Sequence, residues 1–215
     1  MKSTMIDQFG GIIWDWNGTL LNDTELCVQT INEMLQKRNL QQLTITKYQE
    51  VFSFPVKDYY QKIGFDFEVE PFEIPALEFI DLYNSRVNKC KLHDQSITVL
   101  KYFQSKGTRQ FILSAMKQDA LDQCLEQHQI GHFFEHVSGL DNHYAASKLE
   151  NGQLLISGLN LDASELILIG DTVHDYEVAS ELGCRCILIA NGHQSRHILE
   201  STGAMVIDKI AQLIG

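Results

Sequence analysis

The stretch IIWDWNGTLLND, residues 12–23, places a carboxylate, Asp15, directly after an apolar run and between two tryptophans. An amide rather than a second acid follows at Asn17, and Gly18 and Thr19 come next. An acid at the end of a strand is commonly a turn former or a helix N-cap. The same pattern, a buried strand that ends in a polar residue, recurs along the chain and decides the fold.

Short apolar runs of this kind are typical of buried parallel strands. The predicted strands are GIIWD (11–15), RQFILS (109–114), ELILIGD (165–171) and RCILIANG (185–192), with weaker candidates at FFEHVSG (133–139) and AMVI (204–207). Helical patterns lie between them, at 97–106, 118–129 and 174–182. Strands that alternate with helices predict a doubly wound α/β fold with a parallel sheet.

The region from residue 22 to residue 93 lacks a clear strand pattern. It carries four helical patterns, at 24–38, at 46–52, after Pro55, and at 74–90. Four helices between two strands are more than a βαβ crossover needs. We therefore expect a core formed by residues 1–21 and 94–215, and a helical insertion at 22–93 with hinges near Leu21 and His93.

Three of the predicted strands end in a polar residue: Asp15, Ser114 and Asp171. Ligands of open parallel sheets bind beyond the carboxyl ends of the strands. If these strands are neighbours, the three side chains converge on one small volume. Each residue alone has an ordinary structural explanation, so it is the repetition that predicts a site.

The motifs around these residues resemble those of the haloacid dehalogenase-like hydrolase superfamily. The first motif matches Asp15-Trp16-Asn17-Gly18-Thr19, and the second, a Ser that closes an apolar strand, matches Ser114. The fourth, Gly-Asp followed four residues later by Asp, matches Gly170-Asp171 and Asp175. Lys148 fits best as the third motif, although the usual Lys-Pro is absent. The insertion resembles the helical cap of the phosphoglycolate phosphatase branch, on a Rossmann-like core.

The resemblance implies a phosphatase in which Asp15 attacks phosphorus and forms an aspartyl-phosphate. It implies Mg²⁺ as the cofactor, held by Asp15, the main-chain carbonyl of Asn17 and Asp171, with Asp175 ordering the metal waters or Lys148. Lys148 would add positive charge at the phosphoryl oxygens. The phosphate-binding residues implied in this way are Gly18, Thr19, Ser114 and Ala115.

Asn17 departs from the family, whose phosphatases have an acid/base Asp at this position. An amide cannot transfer a proton, which predicts a slow phosphatase, because general acid–base assistance is worth about 10²–10⁴-fold. The alternatives are a phosphatase with another acid, a haloacid-type dehalogenase, a weak magnesium- and phosphate-binding regulatory module, and a site in which deamidation at Asn17-Gly18 converts Asn17 to Asp. The candidate replacement acids are His143, Tyr144, Tyr59, Tyr60 and Lys62.

The segment SFPVKDYYQKIGF, residues 53–65, is predicted to face the substrate. Lys57 or Lys62 could meet a carboxylate or a second phosphate there. Four phenylalanines of the insertion are predicted to form its own core rather than a ligand site. They are Phe65, Phe67, Phe72 and Phe79.

Composition narrows the choice of partner. A formal net charge of −11 on 215 residues argues against nucleic acid, whose backbone needs clustered Lys and Arg. We expect a small phosphorylated metabolite as substrate, no membrane association, and a monomer or homodimer. Five scattered cysteines and the lack of an apparent secretory signal predict core thiols in a cytoplasmic protein.

Overall fold

The structure is a computed structural model that describes residues 5–140 and 147–215. A six-stranded, all-parallel sheet forms its centre, in the order β5-β4-β1-β6-β7-β8. These strands are β1 (Gly11–Trp14), β4 (Arg109–Lys117), β5 (His136–Leu140), β6 (Leu166–Gly170), β7 (Arg185–Ile189) and β8 (Met205–Ile207). All six predicted strands are confirmed, including the two weaker candidates.

The sheet is covered on both faces because its strands alternate between two hydrophobic clusters. Ile12 and Trp14 belong to one cluster, whereas Ile13 belongs to the other. Successive side chains of a strand point to opposite faces, so an uninterrupted apolar run such as Gly11–Trp14 requires cover on both sides. The doubly wound α/β prediction is therefore confirmed.

Nine α-helices surround the sheet or form the insertion within the described residues. They are α1 (Thr24–Lys37), α2 (Ile45–Val51), α3 (Val56–Lys62), α4 (Glu73–Asn84), α5 (Ser96–Ser105), α6 (Gln118–His128), α7 (Lys148–Ser157), α8 (Val173–Leu182) and α9 (Arg196–Glu200). Short 3-10 turns lie at Met5–Gln8, Val87–Lys89, Gly131–Phe133, Ala163–Glu165 and Ile210–Leu213. The sequence patterns did not predict α7 or α9.

The insertion consists of α1 to α4 and is connected to the core by two short strands, β2 (Leu21–Asn22) and β3 (Lys91–Leu92). These strands pair antiparallel, with Leu21 opposite Leu92, so the two connections run side by side. The pattern at 74–90 is not one helix, because α4 ends at Asn84 before a 3-10 turn. The inserted helical domain is confirmed, and its boundaries at residues 22 and 93 stay a prediction.

Two further properties follow from the described residues. None of the helices in them combines the length and apolarity that crossing a membrane requires. All five cysteines are free thiols, and Cys27 and Cys124 are buried.

Candidate active site

Three carboxylates meet at the carboxyl edge of the sheet. Asp15 follows β1, Asp171 follows β6, and Asp175 lies in the first turn of α8, directly after β6. Because β1 and β6 are neighbours in register, Trp14 lies opposite Ile169 and the two strands end together. Each of the three acids offers an oxygen within 4.8 Å of the others, and all three are buried.

Lys148 is the cation of this cluster. It is the first residue of α7, and its Nζ donates hydrogen bonds to Asp15 Oδ1 and, over 2.6 Å, to Asp175 Oδ1. Burial lowers the pKa of Lys148, but the carboxylates of Asp15 and Asp175 outweigh that effect and raise it above the ordinary value. The lysine is therefore a fixed positive charge between two of the three acids.

Asp175 is the best-stabilised acid of the three. Its Oδ2 accepts hydrogen bonds from the main-chain N–H of Thr172 at 2.9 Å and from the Thr172 hydroxyl at 2.6 Å. Burial raises its pKa, yet Lys148 and the hydrogen bonds from Thr172 together lower it below the ordinary value. Asp175 is consequently ionised and holds Lys148 in place.

The negative charges of Asp171 and Asp15 are less well balanced by hydrogen bonds and positive charge than that of Asp175. Asp171 accepts from the Thr19 hydroxyl at 3.0 Å and from the main-chain N–H of His193 at 2.6 Å. Burial, together with the carboxylates of Asp15 and Asp175, raises the pKa of Asp171 well above its ordinary value. Burial also raises the pKa of Asp15 to about 6, despite the attraction of Lys148. The cluster has more negative than positive charge, which suits it to bind a cation.

The loop after Asp15 approaches these acids closely because it contains Gly18. Gly18 has a φ of 74°, and a Cβ at this position would lie 2.2 Å from Asp171 Oδ2. Any side chain would therefore displace Asp171. The neighbouring Thr19 donates its hydroxyl to Asp171.

The second motif lies beside this cluster. Ser114 is fully buried within β4, where its Oγ accepts a hydrogen bond from the main-chain N–H of Met116 at 3.0 Å, and it does not line the cavity described below. Ala115 is exposed and does line that cavity. The phosphate-binding roles of both residues stay predictions.

The Asn17 side chain is held by residues that the sequence patterns did not single out. Its Nδ2 donates to Asp23 Oδ2 at 2.9 Å and to the Tyr83 hydroxyl at 2.7 Å. Asp23 also accepts from Tyr83 at 2.6 Å and from the main-chain N–H of Gly18 at 2.8 Å. Tyr83 belongs to α4, so the insertion bonds directly to the loop that carries Asp15.

His193 completes this second cluster of polar residues. Its Nε2 lies 3.3 Å from Asp23 Oδ1, and its Nδ1 lies 3.0 Å from the hydroxyl of Tyr48. Burial lowers the pKa of His193, but the Asp23 carboxylate raises it to about 9. In turn, burial raises the pKa of Asp23, whereas His193 and the hydrogen bonds bring it down to about 2. The two side chains form a buried ion pair.

Two residues of the second cluster, His193 and Asp23, stand at positions that the sequence could have indicated. His193 follows β7 in the loop NGHQS, and so obeys the same rule of polar residues after strands that identifies Asp15 and Asp171. Asp23 lies at the end of the opening stretch, directly before α1. Tyr83 had no such signal, because its role depends on how the insertion is placed over the core.

A cavity of about 410 Å³ separates the sheet edge from the insertion. Asp15, Lys148 and Asp171 line its floor at the sheet. Its opposite wall comes from the insertion and is largely aromatic. That wall includes Phe52, Phe54, Tyr59, Tyr60, Phe72 and Phe79.

Several predictions about the insertion need correction. Phe72 and Phe79 line the cavity rather than serving only as insertion core, whereas Phe65 is buried and stacks on Tyr60. Neither Lys57 nor Lys62 lines the cavity. The reason is local: the Lys57 ammonium lies over the ring of Phe67, and Lys62 Nζ donates to Ser53 Oγ at 3.0 Å.

The candidate replacement acids are placed differently. Tyr59 and Tyr60 line the cavity, but burial raises the pKa of both phenols above the ordinary value, which makes them weaker acids. Lys62 lies outside the cavity. His143 and Tyr144 fall outside the described residues.

A family model for haloacid dehalogenase-like hydrolases matches residues 12–189, which is most of the chain and spans the positions of all four candidate motifs. The chain belongs to the haloacid dehalogenase-like hydrolase family. The resemblance inferred from the motifs is therefore confirmed.

Known proteins agree with this assignment. A phosphoglycolate phosphatase of Pseudomonas savastanoi pv. phaseolicola is 26% identical over 118 residues, which are 54% of this chain and 43% of that protein. The match thus spans less than half the length of that relative. A solved structure of a predicted phosphatase from Clostridium acetobutylicum superposes with a TM-score of 0.81 at 18% identity, covering 95% of this chain and 96% of the other.

A second solved structure, a predicted phosphoglycolate phosphatase from Haemophilus somnus, has a TM-score of 0.77 at 17% identity. It covers 96% of this chain and 97% of the other. At these identities the two structures establish the fold, a Rossmann-like core with an inserted helical cap.

Proposed function

We propose that this protein is a magnesium-dependent phosphatase that hydrolyses a small phosphate ester or anhydride through an aspartyl-phosphate on Asp15. One observation carries the proposal: Asp15, Asp171 and Asp175 each offer an oxygen within 4.8 Å of the others, and Lys148 bridges Asp15 and Asp175, at the floor of a cavity large enough for a metabolite. Paired carboxylates with a lysine, open to a small cavity, suit phosphoryl transfer.

The residues of the cluster fit a magnesium ion. Carboxylate oxygens are the ligands that Mg²⁺ prefers, and burial, followed by repulsion from the neighbouring carboxylates, raises the pKa values of Asp15 and Asp171, which a bound cation would lower. Asp15, Asp171 and the main-chain carbonyl of Asn17 would hold the ion, with Asp175 close by. When bound, the ion would neutralise the repulsion between Asp15 and the phosphate dianion.

The protein groups divide the chemistry between them. A carboxylate oxygen of Asp15 forms the bond to phosphorus while the ester P–O bond breaks, and the electron pair leaves on the substrate oxygen. Lys148, positioned by Asp175, provides a fixed charge for the phosphoryl oxygens. Water then attacks the phosphorus of the aspartyl-phosphate, which releases phosphate, regenerates the Asp15 carboxylate and passes the water proton to the phosphate.

Asn17 determines which leaving groups are suitable. Its amide donates to Asp23 and Tyr83, and it has no proton to give to a departing alkoxide. Asp23, with a pKa of about 2, is also a poor acid. Substrates that leave as stable anions should therefore react much faster than simple alkyl phosphates.

The test is phosphate release from acetyl phosphate, whose leaving group needs no protonation, with Mg²⁺ or with a chelator. We expect turnover that requires Mg²⁺, a trapped phosphoryl group on the peptide that contains Asp15, and a loss of at least about 10³-fold in Asp15→Asn. Asp119→Asn, on the exposed surface of α6, is the matched control.

Other outcomes would contradict the proposal in recognisable ways. Mg²⁺-dependent phosphate binding without any turnover would indicate a regulatory binding module. Chloride release from 2-chloropropionate in the presence of a chelator would indicate a dehalogenase.

A further inference from the structure

The wall of the cavity opposite the acids has the chemistry of an aromatic-binding surface. Phe72 and Phe79 line it from the segment around α4, and Tyr59 and Tyr60 line it from α3. Small aliphatic residues fill the spaces between these rings, namely Val56, Ala76 and Ile80. Ligand pockets of this composition bind apolar and aromatic groups by packing, with few polar contacts.

The same wall lacks a partner for a second anionic group. The structure describes every residue of 22–93, and none of the cavity-lining residues in that range is Lys or Arg. The one carboxylate there, Asp23, is ionised and already accepts from Asn17, Tyr83 and Gly18. A carboxylate on the substrate would therefore lose its hydration and gain no cation from the insertion.

The polar side chains that the insertion adds to the cavity are neutral, apart from Asp23. Asn84 is exposed at the end of α4 and lines the cavity. The Tyr59 hydroxyl has no hydrogen-bond partner among the described residues, but the oxygen is itself buried and is not open to a ligand. A neutral amide suits a polar substituent on a ring rather than a second phosphate.

The position of this wall places it next to the leaving group, which Asn17 cannot protonate. The phosphoryl group of a substrate must lie at Asp15, so the alcohol portion extends towards the insertion. An aromatic alcohol leaves as a phenolate, whose conjugate acid has a pKa of about 10, and it needs far less protonation than an alkoxide. An aryl phosphate therefore matches both the apolar wall and the missing acid.

We propose that the cavity binds an aryl phosphate, a phosphate monoester of a phenol-like hydroxyl, with the ring packed against Phe72, Phe79 and Tyr60. The inference rests on the proposed phosphatase function and names its class of substrate. The Asp15 carboxylate bonds to phosphorus, the aryl P–O bond breaks, and the phenolate departs with the electron pair and takes its proton from water.

The experiment compares binding and turnover separately. Competitive inhibition of acetyl phosphate hydrolysis is measured with phenylphosphonate and with phosphonoacetate. The first carries an aromatic ring on its phosphonate group, and the second carries a carboxylate. We expect phenylphosphonate to bind at least about tenfold more tightly.

Turnover is measured with phenyl phosphate, benzyl phosphate and phosphoglycolate. Phenyl phosphate should exceed phosphoglycolate by at least about tenfold in kcat/KM, and benzyl phosphate should share its KM but have a lower kcat.

Substitutions in the insertion test whether the aromatic wall of the cavity is responsible for this substrate preference. Ala76→Phe narrows the cavity and should lower the ratio of phenyl phosphate to acetyl phosphate turnover by at least about tenfold. Leu77→Phe, the next residue of α4 but exposed and outside the cavity, should leave that ratio unchanged. Ile80→Arg places a cation in the cavity and should shift inhibition towards phosphonoacetate. Thermal unfolding shows whether each variant folds.

The outcomes distinguish the inference from the function on which it rests. If acetyl phosphate is hydrolysed but phosphonoacetate and phosphoglycolate are preferred, the aryl assignment is wrong and the phosphatase stands. If none of the substrates is hydrolysed and phenylphosphonate does not bind, both are wrong. If Ala76→Phe and Ile80→Arg fold and leave every ratio unchanged, the wall does not contact the substrate and the inference is overturned.

Discussion

The two ends of the cavity face each other but are built from opposite kinds of residue. The sheet end contains buried charges, three carboxylates and Lys148, in an arrangement that burial and mutual repulsion make unfavourable. The insertion end contains aromatic rings that pack on one another, such as Tyr59 on Tyr60. In the function proposed above, the sheet end would transfer the phosphoryl group, whereas the insertion end would select the alcohol that carries it. Reaction and selectivity should therefore respond to different substitutions.

The largest separable effect is expected at Lys148. In Lys148→Gln, the phosphoryl oxygens lose a fixed charge, and kcat should fall by about 10²–10³-fold. Because Lys148 belongs to the sheet end, the fall should be the same for phenyl phosphate and for acetyl phosphate. Steady-state kinetics with both substrates provides the measurement.

Lys101→Gln, on the exposed face of α5, is the control and should keep normal rates. A fall confined to phenyl phosphate would show that Lys148 acts on the alcohol rather than on the phosphoryl group. That result would show that phosphoryl transfer and selection of the alcohol are not divided between the sheet end and the insertion end.

A second prediction concerns Asn17, which lies where the two ends meet. In Asn17→Asp, the new carboxyl group faces Asp23, so it must keep a proton to preserve the hydrogen bond that the amide makes. That proton makes it a general acid, and kcat for benzyl phosphate should rise by about 10²-fold. Acetyl phosphate, which needs no acid, should change little.

The same substitution should lower the free energy of unfolding by about 1–3 kcal/mol, because two acids then share a buried site. Asn17→Asp/Asp23→Asn is the matched variant and should recover that stability. Urea unfolding and the ratio of the two rates are the measurements. An equal rise for both substrates would show that proton donation does not limit the reaction.

The sheet end was predictable because its residues follow from a local rule. Asp15 and Asp171 each follow an apolar run, and parallel strands that end at one edge bring such residues together. Lys148 was assigned by motif, but α7 was not predicted around it. Its helical pattern is weak because Gly152 interrupts it, and a Cβ at that position would lie 2.7 Å from Leu182 of α8. Close helix packing, which the sequence does not display, leaves little space for a side chain there.

The insertion end was predicted only in part, because a helical pattern does not say which apolar face meets a cavity. Phe65 and Phe72 looked equivalent in the sequence, yet one is buried beneath Tyr60 and the other lines the cavity. Tyr83 and Asp23 are 60 residues apart, and their hydrogen bond exists only because α4 lies over the Asp15 loop. Contacts of this kind come from tertiary arrangement rather than from local patterning.

A third prediction compares two acids within the sheet end. The folded-state pKa of Asp171 is raised, so its carboxyl favours folding only at low pH and loses that contribution as the pH rises through the raised pKa. In a chelator at pH 7, Asp171→Asn should therefore raise the free energy of unfolding by about 1–3 kcal/mol. An Asn can keep both hydrogen bonds, with Oδ1 on the His193 N–H and Nδ2 on the Thr19 hydroxyl oxygen.

Asp175→Asn is the matched variant and should have the opposite sign. The pKa of Asp175 is lowered in the folded state, so its carboxylate contributes stability at pH 7 that is lost only as the pH falls through that lowered pKa. Removing this charge leaves Lys148 with one carboxylate fewer. Urea unfolding of both variants decides the point, and a loss of stability in Asp171→Asn would show that its charge is already compensated.

The smallest effect is expected at Tyr83, where the insertion bonds to the Asp15 loop. Tyr83→Phe removes one donor to Asp23 and one acceptor for Asn17, but Asp23 keeps its other donors, Asn17, His193 and the N–H of Gly18. We expect a loss of about 1 kcal/mol in the free energy of unfolding. Since Tyr83 also lines the cavity, KM for phenyl phosphate should rise a few-fold while kcat for acetyl phosphate stays within about twofold.

Tyr102→Phe, in α5 of the core and outside the cavity, is the control for loss of a hydroxyl. A fall in kcat for acetyl phosphate as large as that in Lys148→Gln would place Tyr83 in the transfer chemistry, and the two ends of the cavity would then act as one.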